Sequence, residues 1–307
     1  KADAQEVQGT TKQLFAKPQA AKGAHAANDS GTVFQADLAS FVQYSAKNNK
    51  GNSYFLLVVD VFTREIRTAE LESKKPQEVW AAFADLIDGW KTPQIVWTDS
   101  GQEFGGFFQG EAAKKNIKMN TKEAEDVNGI AVADAAMKSV KETMFRQMAE
   151  DNSTSWISYL ASSTTAYNKT PHGTTYDEAP GEVDDNPLVK FRLYQDNVEK
   201  FKRNAKQLSS RRSKLEAAGG FRAMLPRDEW QRAFKPRYSG TVLKIDSIEG
   251  GYVKSGKKKY AISRVQPVLA NTTSTTPALA KGNERRNETN RQELQEYVVA
   301  LKKFLKD

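Results

Sequence analysis

Hydrophobic and polar positions alternate in the first part of the chain and then recur at helical spacing. Residues 33–44, 53–62 and 64–71 are rich in β-branched and aromatic residues, and the polar segment 47–52 separates the first two. This pattern predicts three strands that begin with a hairpin. From Pro76 onward the apolar residues return every three or four positions, which predicts a helix that ends before Pro93.

Strands and helices are then predicted to alternate. Two short apolar segments, 95–99 and 117–120, flank a helical pattern over 104–115, and a polar loop over 121–129 follows them. Two further helices are predicted over 130–150 and 153–168. Three strands followed by alternating helices and strands are typical of an α/β fold, with a mixed five-stranded sheet and helices on both faces.

The last third of the chain has a different pattern. A long basic helix is predicted over 188–217, and short β segments with turn residues over 234–268 indicate a small barrel of the SH3 or chromo type. We expect a polar linker over 271–290 and an amphipathic helix over 291–306. The predicted domains are an N-terminal extension (1–31), an α/β core (32–185), a basic helical linker (186–232), a barrel (233–270), and a linker with a C-terminal helix (271–307).

Composition narrows the classes of site and partner. Hydrophobic residues make up 38% of the chain, and no apolar run is long enough to cross a bilayer, so we expect a soluble protein with no membrane partner. The absence of cysteine excludes disulfides, thiolate catalysis and Cys-ligated zinc from these 307 residues. The two histidines are too few for a His-rich metal site.

Charge is distributed unevenly along the chain. Residues 1–184 contain 19 Lys and Arg against 25 Asp and Glu, whereas residues 185–307 contain 27 against 13, so the net charges are −6 and +14. A basic C-terminal half next to an acidic N-terminal half predicts a polyanionic partner, RNA or DNA, that the C-terminal half contacts.

Three acids occupy positions that point to chemistry. Asp37 lies inside the first predicted strand, Asp99 ends the fourth, and Asp134 lies early in a helix. The first and fourth strands of such a sheet are neighbours, so their carboxylates could share a metal ion and Asp134 could complete the site. Three carboxylates holding two Mg²⁺ ions suit in-line phosphoryl transfer.

The segment Thr98-Asp99-Ser100-Gly101-Gln102-Glu103-Phe104 resembles a signature of the integrase core of retroelements and large DNA transposons. The segments 34–38 and 166–183 are similar to other parts of that core, and 234–268 is similar to the small barrel that follows it. The resemblance implies a ribonuclease-H-like fold, with Asp37, Asp99 and Asp134 as catalytic metal ligands for two Mg²⁺ ions.

The chain also departs from this family. Most members have Glu as the third acid, whereas Asp134 is one methylene group shorter. In most members, the helix after the third acid carries Arg, Asn and Lys side chains that hold the DNA end. Here small and apolar residues follow Asp134, and the basic side chains that remain are Lys138 and Lys141. The family's N-terminal zinc module needs cysteines, which these residues cannot supply.

Two functions therefore remain open. The departures favour a repurposed integrase with a degenerate metal site, acting as a structural component of a large RNA–protein assembly such as a mitochondrial ribosome. The alternative is an active Mg²⁺-dependent DNA integrase or transposase, which implies the nucleus. In both cases the predicted nucleic-acid contacts are basic residues of the C-terminal half, namely Lys200, Lys202, Arg203, Arg211, Arg212, Lys254, Lys257, Lys258, Lys259 and Arg264.

Overall fold

The structure, a computed structural model, describes Leu14 and residues 25–44, 46–121, 129–225 and 236–268. It divides into two compact units, one of residues 23–202 and one of residues 1–22 together with 203–307. Most of the predicted N-terminal extension, most of the loop after the fifth strand, the polar linker and the closing amphipathic helix lie outside the described residues.

The first unit contains a five-stranded sheet in the order β3-β2-β1-β4-β5. β1 pairs antiparallel with β2, and β2 with β3, whereas β1–β4 and β4–β5 are parallel. The predicted mixed five-stranded sheet is therefore confirmed. The strands are β1 (Val33–Ser40), β2 (Tyr54–Asp60), β3 (Ile66–Leu71), β4 (Ile95–Thr98) and β5 (Lys118–Thr121).

Helices follow the strands in the predicted order. Pro76 stands in the first turn of the first helix, where its missing N–H leaves no intrahelical hydrogen bond unmade. The helices are α1 (Pro76–Asp88), α2 (Gly106–Lys114), α3 (Ala131–Glu150), α4 (Ile157–Lys169) and α5 (Pro187–Glu216). Residues of α5 up to 202 belong to the first unit.

One face of the sheet, which we call the apolar face, packs against α1 and α2. It consists of every second residue of the central strands, among them Phe34 and Ala36 of β1 and Val58 of β2. Phe83 of α1 is fully buried against these strands, and its ring lies 5.2 Å from that of Phe108. Interlocked aromatic rings thus fill this side of the core.

The opposite face, which we call the acid-bearing face, packs against α3 and α4. Ala39 of β1 and Leu57 of β2 contribute apolar side chains to it, and Trp156 is fully buried there. The side chain of Asn168 at the end of α4 bonds both the backbone N–H and the carbonyl of Ile66 on β3, at 2.9 and 2.8 Å. This pair of bonds fixes α4 to the edge of the sheet.

The second unit contains short strands in two small sheets. β6 (Gly220–Ala223) pairs with β10 (Val265–Val268), and β7 (Ser247–Glu249), β8 (Tyr252–Ser255) and β9 (Lys258–Ala261) form a three-stranded sheet. A cluster around the buried residues Phe221 and Val253 forms their core. The predicted β segments are present, but a closed SH3-like barrel is not confirmed. No helix within the described parts of the chain is both long and apolar enough to span a bilayer.

Candidate active site

Strand alternation directs Asp37 to the acid-bearing face. Phe34 and Ala36 of β1 pack on the apolar face, whereas Ala39 packs on the other. Since successive side chains of a strand point to opposite faces, Gln35 and Asp37 share the face of Ala39. Asp37 is half-buried, and one of its carboxylate oxygens accepts a hydrogen bond of 2.9 Å from the N–H of Leu38.

The parallel pairing of β1 with β4 brings Asp99 to the same place. Gln35 is in register with Trp97, so two further residues along each strand lead to Asp37 and Asp99. Trp97 packs against the acid-bearing side, and Asp99 follows it by two positions. An oxygen of Asp99 accepts a hydrogen bond of 3.0 Å from the N–H of Gly101, which anchors the carboxylate at the strand end.

The third acid lies in the first turn of α3, where Asp134 is exposed. The start of α3 is held by β1, because the side-chain oxygen of Gln35 accepts hydrogen bonds from the N–H groups of Val132 and Ala133, each at 3.0 Å. The residue after this pair is Asp134, so the helix start lies beside the strand that carries Asp37.

The electrostatics of Asp37 link the three acids. The pKa of Asp37 is raised from 3.8 to about 6, mainly by burial and also by the negative charges of Asp99 and Asp134, while the N–H of Leu38 and the charge of Lys141 oppose the rise. Both other carboxylates are therefore within electrostatic reach of Asp37. Like charges gathered at a partly buried position are costly unless a proton or a cation neutralises them.

The donors fit a hard divalent cation by their chemistry, since all three are carboxylates and their mutual repulsion is what Mg²⁺ or Mn²⁺ relieves. Their spacing is not that of a formed metal site. Within the described residues, no three Asp, Glu or His side chains lie close enough together to hold a metal ion. Asp37, Asp99 and Asp134 thus share one neighbourhood without forming a closed set of ligands, and their assignment as metal ligands remains a prediction.

The predicted nucleic-acid contacts on α5 are divided between the two units. Lys200 and Lys202 belong to the first unit, and Arg203, Arg211 and Arg212 to the second. Lys202 forms an ion pair of 2.8 Å with Glu199, and Arg212 forms one of 2.8 Å with Glu216. Such exposed i,i+3 and i,i+4 pairs contribute little to stability, so they leave the cations available to a polyanion.

The remaining predicted contacts lie in the small three-stranded sheet and just after it. Lys254 pairs with Glu249 at 2.9 Å, and the ammonium group of Lys259 lies 4.0 Å from the centre of the Tyr252 ring. Lys257, in the turn after β8, and Lys258, the first residue of β9, are exposed, and Arg264 precedes β10. The role of these basic residues in binding nucleic acid remains a prediction.

Gln35 is the site residue that sequence reasoning missed. It is completely buried, and it stands between apolar neighbours in the segment Phe34-Gln35-Ala36. A polar residue on the inward side of a predicted buried strand is a signal, because an amide in such a position needs hydrogen-bond partners. Its partners, Val132 and Ala133, lie nearly a hundred residues away, and no sequence pattern identifies them.

Comparisons with known proteins agree with this architecture. The chain matches no protein-family model. It is 26% identical over 115 residues to a transposon-derived protein of Caenorhabditis elegans, a match that spans 37% of this chain and only 40% of that relative. The activity of the whole relative therefore does not transfer with the match.

Among solved structures, a chain of the simian T-cell lymphotropic virus intasome, in complex with the PP2A regulatory subunit B56 gamma, matches with a TM-score of 0.55 and 11% identity. The match covers 80% of this chain and 81% of that one. The HTLV-2 integrase catalytic core domain in complex with magnesium matches over 50% of this chain and 97% of its own length, at 14% identity. Its TM-score is 0.41.

The intasome match establishes a shared fold, and the C. elegans relative adds a transposon-derived sequence of detectable similarity. The resemblance predicted from sequence is thereby confirmed: the chain shares its α/β fold with a chain of a retroviral intasome, and it is similar in sequence to a transposon-derived protein.

Proposed function

We propose that the chain is a metal-dependent polynucleotidyl transferase, which joins DNA 3′ ends to target phosphodiesters at Asp37, Asp99 and Asp134. The observation that carries this proposal is the surroundings of Asp37. It is half-buried on a central strand, and its pKa is raised to about 6 by burial and by the other two acids. A fold maintained for packing alone gains nothing from a half-buried carboxylate that two further acids repel.

Each residue has a role that follows from its place. The N–H of Leu38 orients the carboxylate of Asp37, and the N–H of Gly101 orients that of Asp99. Asp134 lies exposed in the first turn of α3, where a phosphate group of a nucleic acid could reach it. Mg²⁺ or Mn²⁺ bound there would activate the attacking hydroxyl and neutralise charge on the phosphoryl oxygens.

A plasmid-nicking assay tests the proposal without knowledge of the DNA ends. With supercoiled plasmid and Mn²⁺, we expect the wild type to cut and join strands, and Asp99→Asn to lose about 100-fold or more of this activity. Asp85→Asn is the matched control, because Asp85 is an exposed acid of α1 on the other side of the sheet. Nicking that survives Asp99→Asn contradicts the proposal.

A second candidate function is a structural role in a large RNA–protein assembly, such as a mitochondrial ribosome. What favours it is that, across the described ranges, no three acids or histidines lie close enough to bind a metal. The net charge of +14 over residues 185–307 would then serve RNA binding. Co-purified ribosomal RNA and a mitochondrial location would support this candidate, whereas co-purified duplex DNA ends and a nuclear location would support the enzyme.

A further inference from the structure

The first turn of α3 is capped by a residue from another element. Helix N-termini leave N–H groups without intrahelical acceptors, and Ile130 at the N-cap position makes no side-chain cap. The N–H groups of Val132 and Ala133 instead donate to the side-chain oxygen of Gln35 on β1. A strand residue therefore performs the capping role that a local Ser, Thr, Asp or Asn usually performs.

The burial of Gln35 indicates a role in addition to packing. Its relative exposure is 0%, and two accepted hydrogen bonds fix which end of the amide faces α3. Among the residues that the structure describes, its side-chain nitrogen has no hydrogen-bond partner. An unpaired buried donor is destabilising, so a Gln at this position is not the most stable choice.

Gln35 also connects two of the three acids. It precedes Asp37 by two residues on the same face of β1, and the N–H groups that it caps belong to the two residues before Asp134. The side chain of Asp134 is one methylene group shorter than the usual Glu, so the distance of α3 from β1 has a larger effect on its reach. A cap that holds strand and helix together sets this distance.

We propose that Gln35 is a positioning residue, whose side-chain carbonyl fixes the start of α3 and thereby places Asp134 beside Asp37 for metal binding. The inference rests on the proposed function, because it assigns Asp134 to the metal site. The capping of α3 by Gln35 does not depend on the proposed function, and hydrogen exchange tests it separately.

Two variants of Gln35 separate capping from packing. Gln35→Met fills nearly the same volume without an acceptor, and Gln35→Glu keeps an acceptor in either protonation state. We expect hydrogen exchange at the amides of Val132 and Ala133 to speed up about tenfold or more in Gln35→Met and to stay slow in Gln35→Glu. Equal protection in the Met variant and the wild type overturns the cap.

Mn²⁺ affinity, measured by calorimetry on the full chain, tests the positioning role. We expect Gln35→Met to weaken Mn²⁺ binding about 10- to 100-fold and Gln35→Glu to restore it, as for residues that orient metal ligands. Ile87→Val, a mild core change under the apolar face, is matched for lost stability and should bind Mn²⁺ like the wild type.

The outcomes distinguish the two proposals. If the wild type binds no Mn²⁺, the proposed function fails and the positioning role fails with it, while hydrogen exchange still decides whether Gln35 caps α3. If the wild type binds Mn²⁺ and Gln35→Met binds equally well, the positioning role alone is wrong. If Gln35→Met does not fold, Gln35→Asn, whose amide is one methylene group too short to reach α3, is compared in its place.

Discussion

The two faces of the five-stranded sheet are built from the same strands but differ in what they bury. The apolar face holds rings and aliphatic side chains such as Phe34 and Phe83. The acid-bearing face adds a carboxylate at Asp37 and leaves two buried polar atoms, Gln35 Nε2 and Trp156 Nε1, without partners in the described structure. One face supplies stability, and the other accepts a loss of stability that only a function can explain.

Truncation of the apolar face has the largest expected effect. Phe83 is fully buried, with its ring 5.7 Å from that of Trp80 and 5.2 Å from that of Phe108. We expect Phe83→Ala to lower the free energy of unfolding by about 3–5 kcal/mol through lost burial and a cavity. Urea denaturation measures the loss, and Phe83→Leu should cost clearly less. A loss below about 1 kcal/mol would show that this face is not the stabilising one.

On the acid-bearing face, we expect the opposite effect from Asp37→Asn, which should raise the free energy of unfolding. Because the pKa of Asp37 is raised to about 6, its ionised form is disfavoured in the folded protein, and one pKa unit corresponds to ~1.4 kcal/mol. Asn removes this penalty and keeps an acceptor for the N–H of Leu38. We expect a gain on the order of 1–3 kcal/mol in the free energy of unfolding at pH 7, with loss of Mn²⁺ binding.

The pH dependence fixes the sign of this effect. An acid with a raised pKa contributes stability below its ordinary pKa of 3.8, and that contribution is lost as the pH rises through about 6. The wild type and Asp37→Asn should therefore be equally stable near pH 3.5 and diverge up to about pH 6.5. A difference that does not change with pH would contradict the role assigned to burial and repulsion.

Much of the sheet is predictable because burial patterns are local. The alternation in residues 33–44 and the helical spacing after Pro76 each reflect one element that faces one core, so the elements lie within a few residues of their predicted positions. The neighbouring positions of Asp37 and Asp99 follow from strand order once the mixed sheet is recognised.

The features that could not be predicted from the sequence depend on contacts between distant residues. The cap from Gln35 to Ala133 spans 98 positions, and neither residue type is typical of a helix N-cap. In the second unit, strands of three or four residues such as β7 and β8 carry too little pattern to decide whether two small sheets close into a barrel. Both the cap and the closure of the small sheets depend on pairing between distant residues, which no short stretch of sequence contains.

A smaller destabilisation is expected where α4 joins the acid-bearing side. Asn168→Ala leaves the backbone N–H and carbonyl of Ile66 without their side-chain partner, at a cost of about 1–2 kcal/mol. Lys169→Ala, an exposed neighbour, should stay within about 0.5 kcal/mol of the wild type. Thermal unfolding of the two variants measures this, and equal melting temperatures would show that α4 is held by apolar contacts alone.

The smallest expected effect concerns Lys141, a cation that opposes the repulsion at Asp37. The charge of Lys141 lowers the pKa of Asp37, but it is the weakest of the causes that act there. Its ammonium group also lies 5.9 Å from the centre of the Phe41 ring. We expect Lys141→Met to raise the pKa of Asp37 slightly further, as NMR titration of the carboxyl carbon would measure. Stability should fall by less than about 0.5 kcal/mol, and only above about pH 6, where Asp37 is ionised.

Lys138→Met is the matched control, because Lys138 is an exposed lysine of the same helix whose partner is Glu142 at 3.7 Å. It should leave the titration of Asp37 unchanged. If both variants shift Asp37 equally, the effect comes from the total charge of α3 rather than from Lys141. If neither variant shifts the pKa of Asp37, these lysines do not stabilise its ionised carboxylate. A bound cation would then have to offset the repulsion at neutral pH.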